Sequence, residues 1–448
     1  MQNKLTKHIK FSAVQILALG FAIVIFIGGI ILSLPACSAD GNYTSFIDAV
    51  FTSTTSVCVT GLVTVDTGTH WNYFGKTVIM LLIEVGGLGF MSFATLIAIL
   101  IGKKITLKER LLMQEAMNTF SFQGIVKMVK YVLAFTFSVQ ISGAIIMSTQ
   151  FIPEYGFLKG AYYSIFHSVS AFCNAGIDII GNFRSVTVYS GNPVILLTIS
   201  SLIIIGGLGF TVWVEIYNYK SLRKISLHSK VVVFVTAALL IVGTILMLIF
   251  EWNNSLTMKN FSVEDKIMNS WFAAVSPRTA GFNSVATDGM TTAARLLTII
   301  LMFIGGSPGS TAGGIKTTTL GVLVLTVIGV IKGKQDTEVY GRRFSKDLVY
   351  KAFTVFFIAI SLVIFMTMLL SITEAKASFE YILYEVTSAF GTVGLTLGLT
   401  TKLSWMGKVI IIITMYLGRV GPLTVAFALT NNKDRKPIRY PEDKVLIG

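Results

Sequence analysis

The feature that most constrains this chain is a series of apolar stretches that carry almost no charge. About 20 apolar residues suffice for a helix to cross the hydrocarbon core of a bilayer. Eight stretches of at least this length occur, at 11–35, 77–101, 131–153, 185–214, 231–250, 296–331, 352–373 and 409–432. Charged residues make up only 13% of the chain, which excludes a soluble globular protein and a disordered one.

The basic residues are distributed unevenly between the segments that connect these stretches. Most of the 36 lysines and arginines fall in alternate segments, whereas the 22 acidic residues show no such preference. Cytoplasmic segments of membrane proteins carry an excess of Lys and Arg of this kind. The pattern predicts a multi-pass membrane protein with both termini in the cytoplasm. It also explains the net charge of +14 as topology and argues against a nucleic-acid partner.

Four similar units follow one another along the chain. Each has a glycine motif in its second apolar stretch: VGGLGF at 85–90, IGGLGF at 205–210, IGGSPG at 304–309 and LGRVGP at 417–422. Upstream of each motif lies an apolar segment too short to span, then a small or polar tract that ends in Gly61, Gly176, Gly281 or Gly394. These glycines are 105 to 115 residues apart, and the first glycine of the next motif follows 24 to 30 residues later. The matched spacing predicts an internal repeat.

The repeat predicts an all-α polytopic membrane fold. Each unit is expected to hold a spanning helix, a re-entrant pore helix, a loop and a second spanning helix. Non-helical backbone at membrane depth must be surrounded by protein or line a cavity, so the four units are expected to enclose a central pore. The expected repeats are 11–101, 131–217, 231–331 and 352–430. The expected cytoplasmic segments are 1–10, 102–130, 218–230, 332–351 and 431–448.

The four glycine loops predict a site for a monovalent cation. A pore helix that enters from outside points its partially negative end toward the membrane centre, and glycine lets the next carbonyls turn to the axis. A ring of carbonyls can replace the hydration shell of such an ion, whereas a divalent ion needs carboxylates, which the four tracts lack. For Gly86, Gly87, Gly206 and Gly207, close helix packing is an open alternative.

The sixth apolar stretch contains a tract that no regular helix accommodates. Five glycines and Pro308 lie between residues 305 and 316 and split the stretch into two halves. A passive kink is the alternative to a functional loop.

Arg419 occupies, in the last stretch, the position of Gly87, and a charge there is costly unless it faces a polar cavity. We expect Arg419 to hydrogen-bond carbonyls of residues 309–314.

Glu84 is another charge inside an apolar stretch, and the other repeats have Ile204, Phe303 and Tyr416 at its position. A partner on a neighbouring helix is favoured over a role as an ion ligand, and both remain open.

The tract Gly305–Gly309 also fits the G-x-S-x-G motif of hydrolases. That motif follows a strand and needs a backbone N–H after the serine, where this chain has Pro308, so an enzyme is not expected.

Several motifs carry a family resemblance over essentially the whole chain. They are Thr60-Gly61-Leu62 with Val65-Asp66-Thr67-Gly68, Asn174-Ala175-Gly176, PRTAGFN at 277–283, FGTVGLT at 390–396, and the segments 305–319 and 418–422. With them the sequence resembles the Trk/Ktr/HKT superfamily of potassium transporters, and within it the membrane subunit of bacterial Ktr systems.

The resemblance implies a role for each loop. The potassium filter would consist of Val59, Thr60, Gly61, Asn174, Ala175, Gly176, Thr279, Ala280, Gly281, Thr392, Val393 and Gly394. The intramembrane gate would consist of Gly305, Gly306, Ser307, Pro308, Gly309, Ser310, Thr311, Ala312, Gly313, Gly314, Lys316 and Arg419, with Arg419 as a positive barrier. Some plant relatives that prefer sodium have serine in the first filter position, so Gly61 favours potassium.

The resemblance also implies a setting and partners. The chain is expected in a bacterial plasma membrane as a homodimer, docked on a separate cytosolic ring that binds nucleotides through a Rossmann-type domain. Potassium would be the transported ion, sodium is a candidate modulator, and no organic cofactor is expected on this chain. Channel-like flux and sodium- or proton-coupled symport remain open, whereas a pure interaction scaffold does not explain four matched loops.

Overall fold

The computed structural model describes residues 13–89, 125–217, 225–334, 336–421 and 441. The expected N-terminus 1–10 and the ends of the second and eighth apolar stretches lie outside these residues. So do most of the linkers 102–130 and 218–230 and all of the expected C-terminus 431–448 except residue 441. Within the described residues the chain is mostly helical with almost no strand, which confirms the predicted helical fold.

In the described part of the chain, four long helices have the length and composition needed to cross a membrane. They are α1 (Ala13–Ser33), α5 (Ile125–Tyr155), α9 (Leu227–Glu251) and α13 (Lys346–Thr373). Large apolar side chains are exposed along them, such as Phe26, Phe234 and Phe357. Lipid rather than water is the solvent that an apolar outer surface of this extent requires.

A short helix packs against each long one. These four helices are α2 (Phe46–Val57), α6 (Phe157–Phe172), α10 (Val263–Val275) and α14 (Phe379–Gly391). Their carboxyl-terminal halves are buried, although α2 has five Ser or Thr residues between Phe51 and Val57. Side-chain hydrogen bonds satisfy several of these hydroxyls, as where Ser53 Oγ donates to the Ile25 carbonyl of α1 at 2.7 Å.

The apolar core surrounds the short helices. One cluster centres on Phe166 and Phe172 of α6, and a second joins Phe51 of α2 to Phe390 of α14. The long helices therefore form an outer layer around an inner layer of short helices. This arrangement keeps the polar loops at the ends of the short helices away from lipid.

A third series of helices closes each unit. It comprises α4 (Tyr73–Leu88), α7 (Pro193–Gly207) with α8 (Phe210–Tyr217), α11 (Thr292–Phe303) with α12 (Thr317–Ile331), and α15 (Trp405–Val420). A polar side chain caps the start of α4, α7, α11 and α15 by accepting a backbone N–H; these caps are Asn72, Asn192, Thr291 and Ser404.

These closing helices end at the glycine motif, where unbroken spans were expected at 77–101, 185–214 and 409–432. The fifth residue of the motif has positive φ in three units: 80° at Gly89, 95° at Gly209 and 92° at Gly421. Glycine adopts this conformation without the steric cost of a Cβ, so it ends the helix. Between α7 and α8 the chain bends by 94°.

Short elements complete the described chain. They are α3 (Thr67–His70), the 3₁₀ turns Pro35–Cys37, Ser185–Tyr189, Thr287–Gly289 and Thr400–Lys402, and the strands β1 (Glu338–Val339) and β2 (Arg342–Arg343). The β1–β2 hairpin lies in the expected cytoplasmic linker 332–351. Tyr340 and Gly341 both have positive φ, as a two-residue hairpin turn requires. Helices α5 and α13 also begin inside the expected linkers 102–130 and 332–351.

Candidate functional site

The four short helices end in loops with the same backbone conformation. Loops 1 to 4 follow α2, α6, α10 and α14 and contain the predicted glycines, whose φ lies between 64° and 97°. The residue two positions earlier is also left-handed, with φ between 50° and 65°; these residues are Val59, Asn174, Thr279 and Thr392. This conformation costs a non-glycine residue about 1–2 kcal/mol, so the surrounding contacts must hold it.

The loops meet in a closed ring. A Cβ atom on Gly61 would collide with the carbonyl oxygen of Ala175 in loop 2, and the same relation leads from each loop to the next. The remaining pairs are Gly176 with Ala280, Gly281 with Val393, and Gly394 with Thr60. The structure thus brings all four predicted glycines together, each against the carbonyl that precedes the glycine of the adjacent loop.

A cavity of about 580 Å³ opens above this ring and is lined by all four loop glycines. Asp66, Asp178 and Asp288 line it together with Arg184 and Lys402. Burial raises the pKa of the Asp178 carboxyl to about 6, and the nearby Asp66 carboxylate adds to the shift. The charge of the cavity therefore changes between pH 5 and pH 7.

Asp66 joins loops 1 and 2 on the outer side of the ring. Its carboxylate accepts hydrogen bonds from the Asn182 amide at 2.9 Å and the Phe183 amide at 3.1 Å, both in the segment after loop 2. It also caps α3 through the amide of Thr69. One side chain thereby fixes the outer segments of two repeats relative to each other.

The tract between α11 and α12 packs against the closing helix of the second repeat. The amides of Ser307 and Thr311 donate to the carbonyls of Gly207 and Gly206 at 3.0 and 3.4 Å. These are end-of-helix carbonyls of α7 that have no partner within the helix. The Thr311 side chain donates to the Asn174 side chain in loop 2 at 2.8 Å. The tract therefore lies directly beside a loop of the ring.

Arg419 contacts two other repeats. Its guanidinium donates to the Thr311 carbonyl, to the Gly86 carbonyl at 2.5 Å and to the Gly87 carbonyl at 3.3 Å. The expected contact with residues 309–314 is thus present, at Thr311. Gly86 and Gly87 lie at the carboxyl end of α4, where the helix dipole favours a cation. Lys316 donates to the Ala312 carbonyl at 2.7 Å, within its own tract.

Three of the residues whose role the sequence left open, Glu84, Gly86 and Gly206, have close structural contacts. Glu84 accepts from Gln140 Nε2 of α5 at 2.9 Å and from Cys173 Sγ at 3.3 Å, which are the interhelical partners that were favoured. A Cβ on Gly86 or Gly206 would collide with the last-turn carbonyl of α2 or α6. Close packing therefore accounts for these two glycines.

Residues 13–435 match the family of TrkH cation transport proteins. The chain belongs to the TrkH family. The resemblance expected from the loop motifs is thereby confirmed. The protein is a membrane-embedded cation transporter of this family and not an enzyme.

Individual TrkH-family proteins match over their full length. The chain is 46% identical to the potassium/sodium uptake protein NtpJ of Enterococcus hirae over 453 residues, covering 100% of this chain and 99% of that protein. It is 42% identical to Ktr system potassium uptake protein B of Bacillus subtilis, with the same coverage. The solved potassium transporter TrkH of Vibrio parahaemolyticus shares the fold, with a TM-score of 0.72 over 96% of this chain and 87% of that chain at 19% identity.

The TrkH-family site includes one predicted residue with contacts that the sequence did not predict, Asn174, and one residue that the sequence did not single out, Glu385. The Asn174 side chain bridges the Arg278 carbonyl in loop 3, at 3.3 Å, and the Thr311 hydroxyl. Glu385 is buried in α14 and accepts from Thr396, at 2.7 Å, and from Thr400. The sequence signal for Glu385 is an acidic residue within the apolar segment 379–390.

Proposed function

We propose that this chain carries potassium across the membrane through the ring of four loops. A dehydrated monovalent cation on the axis would be coordinated by the carbonyls of Thr60, Ala175, Ala280 and Val393 and of the residues before them. The twelve filter residues named from the sequence all belong to these loops. The absence of carboxylates from the loop tracts favours a monovalent over a divalent ion.

The observation that carries the proposal is the closed contact around the ring. Four loops with the same left-handed glycine conformation each pack against the carbonyl of the next, so the ring has four equivalent positions. The relatives support the choice of ion, because the Enterococcus protein is named for potassium and sodium uptake and the Bacillus protein for potassium uptake.

The tract 305–316 and Arg419 form the proposed gate. Arg419 holds Thr311 of the tract to the end of α4, and the tract holds the end of α7, so three repeats meet at one positive side chain. A cation that leaves the ring would meet this charge and the tract. Opening requires that both be displaced from the path.

The proposed assembly has eight spans in four repeats, with both termini in the cytoplasm of a bacterium. The Bacillus relative is part of a named Ktr system, which supports a partner. The partner we propose is a cytosolic nucleotide-binding ring, with a homodimer of this chain docked on it. Sodium would modulate this assembly rather than act as a fixed cofactor.

A second candidate is coupled symport, in which a sodium or proton gradient drives potassium. The name of the Enterococcus relative, which includes sodium, is the observation that favours it. Glu84 is a candidate proton carrier for such a mechanism, although its contacts with Gln140 and Cys173 fit a structural partner equally well.

Rubidium uptake into liposomes that contain the purified protein tests the proposal. No sodium or proton gradient is imposed, and potassium or sodium is added as competitor. Uptake that potassium blocks and sodium does not is the expected result. Uptake that appears only with a sodium or proton gradient supports the symporter, and equal block by both ions contradicts a potassium pathway.

A further inference from the structure

A hydroxyl side chain lies at the end of each pore helix, six residues before the loop glycine in loops 1, 2 and 4 and five residues before it in loop 3. The four residues are Thr55 in α2, Ser170 in α6, Ser276 directly after α10, and Ser388 in α14, and all are buried. The backbone carbonyl of each accepts a hydrogen bond of 2.8 to 2.9 Å from the residue just before the loop glycine. The hydroxyl is therefore a shared feature of the four loops.

These side chains do not make the bond that is usual for hydroxyl residues in helices. Such residues commonly donate back to the carbonyl four positions earlier. Thr54 does so, to the Val50 carbonyl at 2.7 Å. Thr55, the next residue, instead accepts a hydrogen bond from the Gly61 amide at 2.9 Å. Its hydroxyl reaches forward into loop 1.

In loops 1 and 4 the hydroxyl is an acceptor. The Gly61 amide donates to Thr55, and the Gly394 amide donates to Ser388 at 3.1 Å. The N–H and C=O groups of a trans peptide point in opposite directions. Holding the Gly61 N–H toward α2 turns the Thr60 carbonyl to the opposite side, where it lies against Gly394 in the ring.

In loops 2 and 3 the hydroxyl is a donor. Ser170 donates to the Ile177 carbonyl at 2.6 Å, and Ser276 donates to the Phe282 carbonyl. These carbonyls belong to the residue after the loop glycine, so the bond acts two peptides further along the chain than in loops 1 and 4. It holds toward the pore helix a carbonyl that would otherwise be free at the outer end of the ring.

We infer that the four hydroxyls are positioning residues that decide which carbonyls face the cation, and that the two pairs differ in effect. This inference rests on the proposed potassium pathway. Thr55 and Ser388 orient the ring carbonyls of Thr60 and Val393, so they control selectivity. Ser170 and Ser276 restrain carbonyls outside the ring, so they control the concentration at which uptake is half-maximal.

The sharpest test uses two neighbouring threonines. Thr55→Val removes the hydroxyl without changing the shape of the side chain, Thr55→Ser keeps the hydroxyl, and Thr54→Val is the matched control. Rubidium uptake into liposomes is measured with sodium or potassium as competitor. Thr55→Val is expected to lower the ratio of half-inhibiting sodium to potassium about tenfold, as for the loss of one hydrogen bond. The other two variants are expected to keep the wild-type ratio within about twofold.

Two serine variants complete the test. Ser388→Ala is a second selectivity variant, in case Thr55→Val does not yield a monodisperse protein. Ser170→Ala is expected to change the concentration for half-maximal uptake about threefold and leave the ratio nearly constant. Wild-type selectivity in folded, active Thr55→Val or Ser388→Ala overturns the inference. So does a Thr55→Ser variant as defective as Thr55→Val, because that result assigns the effect to packing.

The wild-type protein separates failure of this inference from failure of the proposed function. If wild-type uptake shows no preference for potassium over sodium, the proposed pathway is wrong. If the wild type is selective and the hydroxyl variants are equally selective, the pathway stands and the positioning role is wrong.

Discussion

At Gly61, the absence of one carbon atom allows loop 1 to contact its neighbour. The residue has φ of 93°, and a Cβ atom would lie 2.5 Å from the carbonyl oxygen of Ala175. A side chain there is strained in its own backbone and also displaces a carbonyl of the adjacent loop. Because each loop touches the next, the displacement passes around the ring.

Gly61→Ser is therefore expected to relax selectivity toward sodium. The expected change is about a tenfold drop in the preference for potassium, measured as sodium against potassium competition for rubidium uptake. Gly191→Ser is the control, since Gly191 is exposed and a Cβ there meets nothing within 4 Å. An unchanged preference in the Gly61 variant would remove the first loop from the proposed filter.

Arg419→Ala is expected to raise potassium flux in the absence of any cytosolic partner. The variant removes three hydrogen bonds that hold the tract to the end of α4, together with the positive charge beside it. An increase of about tenfold corresponds to one charge-assisted hydrogen bond. Flux is measured in liposomes, and Arg343→Ala, at an exposed arginine of the β2 strand, is the control. Equal flux in both variants contradicts the role of Arg419 as a barrier.

Asp178 predicts a dependence of uptake on external pH. Burial raises the pKa of its carboxyl to about 6, so the group is charged above pH 6 and neutral below it. Loss of this negative charge on acidification weakens cation attraction to the outer cavity. The concentration for half-maximal uptake is expected to rise about two- to threefold between pH 7 and pH 5. Asp178→Asn is expected to show the weaker affinity at both pH values; a variant with the wild-type pH profile contradicts this assignment.

At the scale of elements, the glycine motif combines three functions in four residues. Its first glycine allows close contact with a pore helix in three repeats, as at Gly86, Gly206 and Gly418. The carbonyls of its first two glycines lie at the helix end and have no partner within the helix. They accept hydrogen bonds from Arg419 in the first repeat and from the tract in the second. The glycine three residues after the first, with positive φ in three repeats, ends the helix. Because the apolar pattern continues through the motif, the sequence alone does not reveal that the helix ends there.

Deletion of Ser310–Gly313 tests whether the tract acts as a gate. The deletion removes Thr311, which contacts Arg419, the end of α7 and loop 2. Flux without a partner is expected to rise at least as much as in Arg419→Ala, since both the tract and the anchor of Arg419 are lost. Rubidium efflux from loaded liposomes measures it. A folded deletion variant with wild-type flux shows that the tract is a passive kink.

The sequence predicted the helices more accurately than the residues at which they end. The long helices, the short helices and the irregular tract follow from composition and from the spacing of the repeat. The helix ends at Gly89, Gly209 and Gly421 did not, because the apolar residue pattern continues beyond each of them in the sequence. The β1–β2 hairpin was missed because its two strands are short and charged, and tertiary position rather than periodicity defines them.

At the scale of the whole molecule, the repeat explains why the sequence predicts a ring of four loops but not the contacts between them. The similar spacing of Gly61, Gly176, Gly281 and Gly394 indicates four equivalent loops. It contains no information on which carbonyl meets which glycine, or on the Asn174 bridge to loop 3 and the tract. Those contacts join residues more than 100 positions apart and depend on packing.

The same repeat places unlike residues at equivalent positions, and these differences carry the regulation we propose. Three repeats have glycine where the fourth has Arg419, and three closing helices have an apolar or aromatic residue where the first has Glu84. A fourfold ring can bind a cation symmetrically, whereas a gate needs one side that differs. Arg419 and the tract supply this asymmetry on adjacent repeats.

The most direct measurement is the position of a heavy monovalent cation in the protein. A structure determined in rubidium, with anomalous scattering to identify the ion, is expected to show density on the axis within the ring, beside the carbonyls of Thr60, Ala175, Ala280 and Val393. Replacement of rubidium by sodium is expected to remove this density. Rubidium found in the outer cavity or elsewhere, with none inside the ring, contradicts the central claim that the four glycine loops form the ion site.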